Sequence, residues 1–186
     1  MYPFYSYADT TLTFVPANVA ECFRPNNPDG CVTPIVNVIN SAQTEIRVQA
    51  YNFTSPPILS ALANAKRRGV DVAVILDKSN DPISKEILDE NGNVKPPKAS
   101  RYTGATYMTN AGVPVFIDRK PRIAHNKLII IDKHLVVGGS YNYTMSAEKA
   151  NAENVTFIDS ADVASSFLNN WELRKQVSEV FVPKSQ

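Results

Sequence analysis

The sequence has few of the residues that build metal centres and no long apolar run. Its 186 residues include two cysteines and two histidines. No histidine lies beside either cysteine, and no Asp, Glu and His residues cluster with ligand spacing, so the chain offers poor zinc ligands. No apolar stretch approaches the length of a transmembrane helix. We therefore expect no metal, no cofactor and no stable insertion into a membrane.

The chain also lacks an excess of charge of either sign. Nineteen Lys and Arg residues against 18 Asp and Glu residues give a formal net charge of +1, so any affinity for nucleic acid has to come from local clusters. The candidates for DNA contact are Arg119, Lys120 and Arg122, because Pro121 among them favours an exposed loop. A second cluster, 66–68, stands at the predicted end of a helix, where cations meet the helix dipole favourably. A solvated surface is the alternative for both.

Cys22 and Cys31 flank a stretch rich in turn-forming residues, which can fold back as a loop. We predict a disulfide between them, which implies an oxidising compartment such as the periplasm or the outside of a cell. Residues 1–20 lack the basic start and apolar run of a signal peptide, so this localisation requires that a leader has been removed. Two reduced, half-buried cysteines in a cytosolic protein are the alternative.

The most specific pattern in the chain lies between residues 125 and 142. It reads His-x-Lys-x4-Asp-x6-Gly-Ser-x-Asn, with fixed positions at His125, Lys127, Asp132, Gly139, Ser140 and Asn142. The aliphatic run 128–131 is typical of a strand buried on both faces. Because side chains alternate along a strand, His125 and Lys127 share one face, and Ser140 and Asn142 form a second such pair.

These residue types suit chemistry at a phosphodiester. A nucleophile, a fixed cation and two neutral hydrogen-bond donors fit a group whose negative charge increases in the transition state. Lys127, Ser140 and Asn142 are therefore predicted to bind the phosphate. Asp132 falls on the other strand face from His125, and we assign it a structural role in anchoring backbone. Gly139, with Gly138, lets the backbone approach a ligand.

The pattern is the signature of the phospholipase D superfamily, and residues 11–175 resemble the bacterial Nuc-type endonucleases. The resemblance extends to the segments 50–54 and 66–71. It implies that one histidine attacks phosphorus to form a phosphohistidine while a second, protonated histidine gives its proton to the leaving oxygen. His134 has Val136 where the motif lysine should stand, so we interpret it as a polar turn residue. The resemblance then implies a homodimer with two copies of His125 across a two-fold axis.

The same resemblance implies a role for Glu153, which follows Asn142 by eleven residues. In the Nuc-type enzymes a glutamate in this position accepts a hydrogen bond from the catalytic histidine, so the predicted catalytic residues are His125, Lys127 and Glu153. A solvated glutamate at a strand end is the alternative. The implied activity is metal-independent cleavage of DNA. A lipid-hydrolysing phospholipase D, or a non-catalytic nucleic-acid-binding module, are the competing functions.

The order of elements predicts the fold. Strands are predicted at 11–15, 45–53, 70–77, 115–117, 128–131, 135–137 and 151–158. Helices are predicted at 33–42, 57–68, 105–110 and 162–179, the last with an aspartate cap, and a short helix at 83–88 within a loop excursion at 78–103. This alternation indicates a single α/β domain over residues 11–182, a layered phospholipase D-like domain with a mixed β-sheet flanked by helices.

Overall fold

The computed structural model describes residues 15–81, 87–88, 94–95 and 103–183. Within these ranges the chain forms ten strands: β1 (Asn18–Arg24), β2 (Glu45–Ala50), β3 (Asp71–Asp77), β4 (Ile87–Leu88), β5 (Val94–Lys95), β6 (Val115–Asp118), β7 (Lys127–Ile131), β8 (Leu135–Gly139), β9 (Glu153–Asp159) and β10 (Glu179–Val180). The α-helices in the same ranges are α1 (Val32–Ser41), α2 (Pro56–Arg67), α3 (Gly104–Asn110), α4 (Met145–Lys149) and α5 (Ala161–Gln176).

Eight strands form one mixed sheet in the order β1-β9-β8-β7-β2-β3-β6-β10, and β4 pairs with β5 separately. Strands β2, β3 and β6 are parallel to one another, whereas β7 pairs antiparallel with both β2 and β8. The start of β7 therefore lies beside the ends of β2 and β8. This meeting point is where the residues of the motif other than Asp132 come together.

The sheet separates two hydrophobic layers. On one face, buried residues of α1 and α2 such as Ile35, Ile39 and Leu62 pack with alternate residues of the strands. On the other face, α5 contributes Ala164 and Trp171, which pack against Leu128 and Ile130 of β7. The indole nitrogen of Trp171 also donates to the carbonyl of Val48 at 3.0 Å, which satisfies a polar atom that burial would otherwise leave unpaired.

The predicted α/β class is confirmed, and most predicted elements lie within one or two residues of their observed bounds. The prediction missed four short or peripheral elements: the edge strand β1, the two-residue strands β5 and β10, and the five-residue helix α4. The strand predicted at 11–15 lies outside the described residues except for Val15, which is not in a strand. The helix predicted at 83–88 is wrong at residues 87 and 88, which pair as a strand with β5, and 82–86 lie outside the described ranges.

The last helix also differs from its prediction at both ends. Its N-cap is Ser160, whose hydroxyl accepts from the backbone N–H of Val163, and Asp162 lies in the first turn instead. The helix ends at Gln176 and not at 179. Residues 179 and 180, at and beyond the predicted end, instead pair with β6 as the strand β10. Among the described residues, no helix combines the length and apolar character needed to cross a bilayer.

The predicted disulfide between Cys22 and Cys31 is formed. It joins β1 to the residue that precedes α1, and both cysteines are buried in the layer that holds α1 and α2. The disulfide therefore ties the edge of the sheet to its helical layer, on the face opposite α5.

Asp132 holds the turn between β7 and β8 against the start of β2. Its carboxylate accepts hydrogen bonds from the backbone N–H groups of Gln43, Thr44 and Glu45 and from the Thr44 hydroxyl, at 2.8 to 3.1 Å. Asp132 and Lys133 both have positive φ, of 52° and 57°, as in the turns that match the twist of a hairpin. Burial alone would raise the pKa of Asp132, but the four hydrogen bonds outweigh it and lower the pKa below the ordinary 3.8.

We predict that Asp132→Asn destabilises the fold at neutral pH by about 1–3 kcal/mol, since an amide presents a donor to groups that themselves donate. The pKa of Asp132 is lower in the folded state than in the unfolded state. The wild-type advantage should therefore be complete above pH 3.8 and disappear as the pH falls from 3.8 through the folded pKa. Urea unfolding of both proteins across this range measures it. The matched control is Asp29→Asn at an exposed carboxylate, and an equal loss in both variants would contradict the assignment.

Candidate active site

His125 and Lys127 lie at the start of β7. His125 is exposed in the loop before the strand, whereas Lys127 is 8% exposed and its Nζ donates to the carbonyl of His125 at 2.8 Å. Burial lowers the pKa of Lys127 below its ordinary 10.5, and the charge of Glu153 opposes that shift. The hydrogen bond to the His125 carbonyl therefore fixes the direction of the buried ammonium.

Tyr51, which the sequence analysis did not assign to the site, packs against both of these residues. Its ring centroid lies 4.8 Å from that of His125, and the Nζ of Lys127 lies 5.2 Å from the centroid of the Tyr51 ring. An aromatic face attracts a cation at this distance. Tyr51 directly follows β2, so the antiparallel pairing of β2 with β7 is what brings it to the site.

Backbone hydrogen bonds hold the chain on both sides of His125. The buried carboxylate of Asp77, at the end of β3, accepts from the N–H of Ala124 at 2.7 Å, and the N–H of Tyr51 donates to the carbonyl of Asn126 at 3.0 Å. His125 lies between these two points, so its backbone position is set by β2 and β3. Asp77 was not among the predicted site residues, although a carboxylate at the end of a predicted buried strand was an available signal.

The segment that follows β8 lies across from the start of β7. Gly139 has φ 141°, and a β-carbon there would lie 2.3 Å from the carbonyl oxygen of Asn154, so the close approach of β9 requires glycine. Tyr141 and Tyr143 are buried in the core. Ser140 and Asn142 alternate with them along the chain; Ser140 is exposed and Asn142 is half-buried.

Glu153, at the start of β9, binds Ser140 and not His125. Its carboxylate accepts from Ser140 Oγ at 2.5 Å and from Asn151 Nδ2 at 2.8 Å. In the described part of this one chain, no hydrogen bond joins Glu153 to His125. The contact that the resemblance implied is thus absent within a single chain, although Glu153 is close enough to act on the charge of Lys127.

Arg119 is engaged within the fold. It forms ion pairs with Asp81 and, at 2.9 Å, with Glu179. Burial alone would lower the pKa of Arg119, but these two carboxylates raise it. The Arg119 guanidinium therefore has protein partners in the structure, and its contact with DNA stays a prediction.

The other basic candidates divide by position. Lys120 and Arg122 are exposed in the loop that leads to His125, which suits the predicted contact with DNA. Residues 66–68 end α2, roughly 18 Å along the helix from the end that starts near the site.

His134 lies at the opposite end of β7 from His125, about 16 Å of strand away. Its Nδ1 lies 2.5 Å from Asp159 Oδ1, and the side chain is 60% exposed. One chain therefore brings a single histidine to the site. Across the described ranges, no group of three or more His, Cys, Asp or Glu side chains is placed to hold a metal ion.

A cleft of about 500 Å³ opens beside His125 and Lys127. It runs over the sheet face that carries α5, and Phe167 and Asn170 of that helix form part of its wall. Apart from His125 and Lys127, the residues that line the cleft are neutral.

A family model, a curated relative and a solved structure all relate this chain to phospholipase D-like proteins. The family described as "Cardiolipin synthase, PLD-like domain" matches residues 35–173. A protein named phospholipase D from Rickettsia prowazekii is 41% identical over 162 residues, covering 87% of this chain and 70% of the relative. The crystal structure of the phospholipase D family member Nuc from Salmonella typhimurium superposes with a TM-score of 0.72 at 33% identity, covering 89% of this chain and 99% of Nuc. NucT from Helicobacter pylori, at 19% identity and a TM-score of 0.70, shares the fold.

The mixed sheet, with a histidine and a buried lysine at the start of one strand and a Gly-Ser-x-Asn segment beside them, defines a class of α/β phosphodiesterases. Within that class, the match over residues 35–173 and the identity to the Rickettsia protein fix the family. The chain belongs to the phospholipase D superfamily, and it is a hydrolase of phosphodiester bonds.

The two histidines provide a matched pair of variants. His125→Ala should lower turnover of bis(4-nitrophenyl) phosphate on the order of 10³-fold or more, because the substitution removes the predicted nucleophile. His134→Ala should keep most of the activity, since that side chain lies at the far end of β7. Release of nitrophenolate measures both. Similar losses in the two variants would show that His125 has no special role.

Proposed function

We propose that this protein is a metal-independent endonuclease that cleaves DNA through a phosphohistidine, in an active site shared by two copies of the chain. The observation that carries the proposal is the placement of His125, buried Lys127 and the Ser140–Asn142 segment at one meeting point of three strands. A nucleophile beside a desolvated cation supports covalent attack on a phosphodiester.

The proposed reaction has two steps. A neutral imidazole nitrogen of His125 forms a bond to phosphorus as the bond from phosphorus to the leaving oxygen breaks, and an imidazolium gives its proton to that oxygen. The second imidazole, now neutral, takes a proton from water, whose oxygen displaces the histidine from phosphorus. Lys127 stabilises the charge on the phosphoryl oxygens in both steps. The reaction therefore uses two imidazoles.

A second copy of the chain is the proposed source of the other imidazole. Three exposed apolar residues support a symmetric contact on the face that carries α5: Val19 (53% exposed), Phe23 (48%) and Phe167 (37%), which we call the dimer face. Val19 and Phe23 lie on the opposite side of β1 from buried Cys22, and α5 packs chiefly on β2, β6, β7 and β8. The α5 side of the β1 edge is thus open to a partner.

The position of Glu153 supports the same arrangement. Because it has no hydrogen bond to His125 of its own chain in the described structure, we propose that it orients His125 of the second copy. Each copy would then supply the nucleophile of one half-site and the carboxylate of the other.

DNA is the proposed substrate because Lys120 and Arg122 are exposed in the loop that ends at His125, where they can contact flanking phosphates. The resemblance to Nuc-type endonucleases points the same way. Lipid hydrolysis is the second candidate, since the relative from Rickettsia prowazekii is named phospholipase D. The Cys22–Cys31 disulfide supports action in the periplasm or outside the cell.

Incubation with DNA and with phosphatidylcholine separates these candidates. We expect release of soluble nucleotides from DNA and no release of choline. Binding of DNA in a gel shift without cleavage would instead support a non-catalytic binding module. Choline release without DNA cleavage would favour the lipid enzyme.

Activity on DNA should be complete in excess EDTA, because the proposed chemistry needs no metal ion. The measurement compares initial cleavage rates in EDTA with rates in added Mg²⁺. A loss of turnover on chelation that Mg²⁺ restores would refute the metal-independent mechanism.

Heterodimers of wild type with His125→Ala should have almost no activity, since each site needs an imidazole from both copies. Co-expression with two different tags allows the heterodimer to be isolated and assayed. If heterodimers kept half of the wild-type rate, the shared site would be wrong.

The dimer face offers an independent test of the same assembly. The double substitution V19K/F23K should produce a monomer with little activity, because like charges oppose each other across a symmetric contact. The matched control is V180K/V182K, at two exposed valines by the opposite sheet edge, and it should stay dimeric and active. Molecular mass from light scattering under assay conditions accompanies each rate. A fully active monomer would contradict the proposal.

A further inference from the structure

The ring of Tyr51 contacts both His125 and Lys127. Its centroid lies 4.8 Å from that of the imidazole, with the two rings tilted by 52°, and 5.2 Å from the Nζ of Lys127. In the part of the chain that the structure describes, the imidazole makes no hydrogen bond, and Lys127 Nζ donates to a backbone carbonyl. Within one chain, the Tyr51 ring is therefore the group that links the positions of the two predicted catalytic side chains.

The backbone of Tyr51 is held at both of its polar groups. Its N–H donates to the carbonyl of Asn126 at 3.0 Å, and its carbonyl accepts from Asn80 Nδ2 at 2.6 Å. Asn80 ends the short 3₁₀ turn that follows β3, and it also donates to the carbonyl of Asp77 at 3.1 Å. The carboxylate of Asp77 in turn accepts from the N–H of Ala124. The Tyr51 ring and the loop before β7 are thus anchored to the same turn.

Both side chains beside Tyr51 need such a restraint. His125 is exposed, and an exposed imidazole can change rotamer freely unless a neighbour restricts it. A nucleophile reacts well only when it is held close to phosphorus and in line with the leaving oxygen. Lys127 carries its charge on a flexible four-carbon stem, and the face of an aromatic ring attracts that charge.

We propose that Tyr51 is a positioning residue of the active site: the face of its ring holds the Lys127 ammonium, and its contact with the imidazole restricts His125 to the orientation from which it attacks phosphorus. The inference rests on the roles proposed for His125 and Lys127, and it is independent of the choice between DNA and lipid. Tyr51 takes no part in proton transfer, so its hydroxyl is dispensable. A ring contact also uses neither imidazole nitrogen, which leaves one of them available to Glu153 of the second copy.

The attraction between the ring and the ammonium can be tested without changing the shape of the side chain. Phenylalanines with one, three and five ring fluorines at position 51 make the face of the ring progressively less negative. With bis(4-nitrophenyl) phosphate as substrate, we expect Tyr51→Phe to keep at least about half of the wild-type kcat/KM. The fluorinated rings should then lower kcat/KM stepwise, to about one tenth of the Phe value at five fluorines. A flat series would overturn the inference.

Phe116 provides a matched control for the fluorine series. Its ring centroid lies 5.6 Å from the Nζ of Lys175, which is a contact of the same kind, and the residue packs in the layer of Trp171 on the α5 face. Pentafluorophenylalanine at position 116 should leave kcat/KM unchanged. Equal losses at positions 51 and 116 would show that fluorination acts through the packing of the fold, and they would contradict a positioning role for Tyr51.

Tyr51→Leu removes the ring and tests its contact with His125. We expect kcat/KM to fall about 100-fold, mainly through kcat, because a freely rotating imidazole attacks a smaller fraction of the bound substrate. If Tyr51→Phe lost as much activity as Tyr51→Leu, the hydroxyl and not the ring would be needed, and the inference would be wrong. Urea unfolding shows whether each variant is folded. The fluorine series keeps the ring, so it decides the question even if Tyr51→Leu does not fold.

His125→Ala separates this inference from the proposed function. If His125→Ala abolishes hydrolysis of the ester and the fluorine series is flat, the proposed chemistry is supported and the role of Tyr51 is wrong. If His125→Ala keeps the wild-type rate, both the proposed chemistry and the role of Tyr51 are wrong.

Discussion

The burial of the Lys127 ammonium is the constraint on which the site depends. A charge that loses most of its contact with water has to be compensated by the groups around it. Here the carbonyl of His125, the ring of Tyr51 and the charge of Glu153 provide that compensation. Each of these groups is thereby held close to the ammonium.

This compensation also orders the elements around the site. The His125 carbonyl can reach Lys127 because the loop before β7 is fixed by Asp77 and Tyr51. Glu153 is near because β9 pairs with β8 and approaches Gly139 closely. The parallel strands β2 and β3 and the antiparallel strands β7 and β8 therefore all have an end near the Lys127 ammonium. A mixed sheet is well suited to such a meeting, since strand ends of both directions lie at the same edge.

The sequence predicted the parts of the fold and site that depend on local pattern. The strand at Leu128–Ile131 follows from its aliphatic run, and the predicted pairs, His125 with Lys127 and Ser140 with Asn142, follow from alternation along one segment. Tyr51 and Asp77 could not be placed in the same way, because their proximity to His125 depends on the pairing of β2 and β3 with distant strands. The edge strand β1 was missed for a related reason, since its register is set by β9, more than 120 residues later.

The disulfide loop shows a second kind of non-local effect. Glu148 of α4 accepts from the backbone N–H of Cys31 and from the Tyr141 hydroxyl, while Arg24 donates to the Glu148 carbonyl at 2.7 Å. The disulfide loop is thus linked, through Glu148, to Tyr141 in the segment that carries Ser140. It lies on the opposite sheet face from the cleft, so it stabilises the site without lining it.

The spacing of the motif residues follows from the strand lengths and register of the β7–β8 hairpin. Four residues separate Lys127 from Asp132 because β7 is five residues long and Asp132 begins the turn that follows it. Six residues separate Asp132 from Gly139, which returns the chain along β8. The register that pairs Leu128 with Gly138 then sets Gly139 beside Lys127. Inserting one residue in either strand would move Ser140 to the other face of the sheet, so Asp132 serves the site from its far end by fixing where the chain turns.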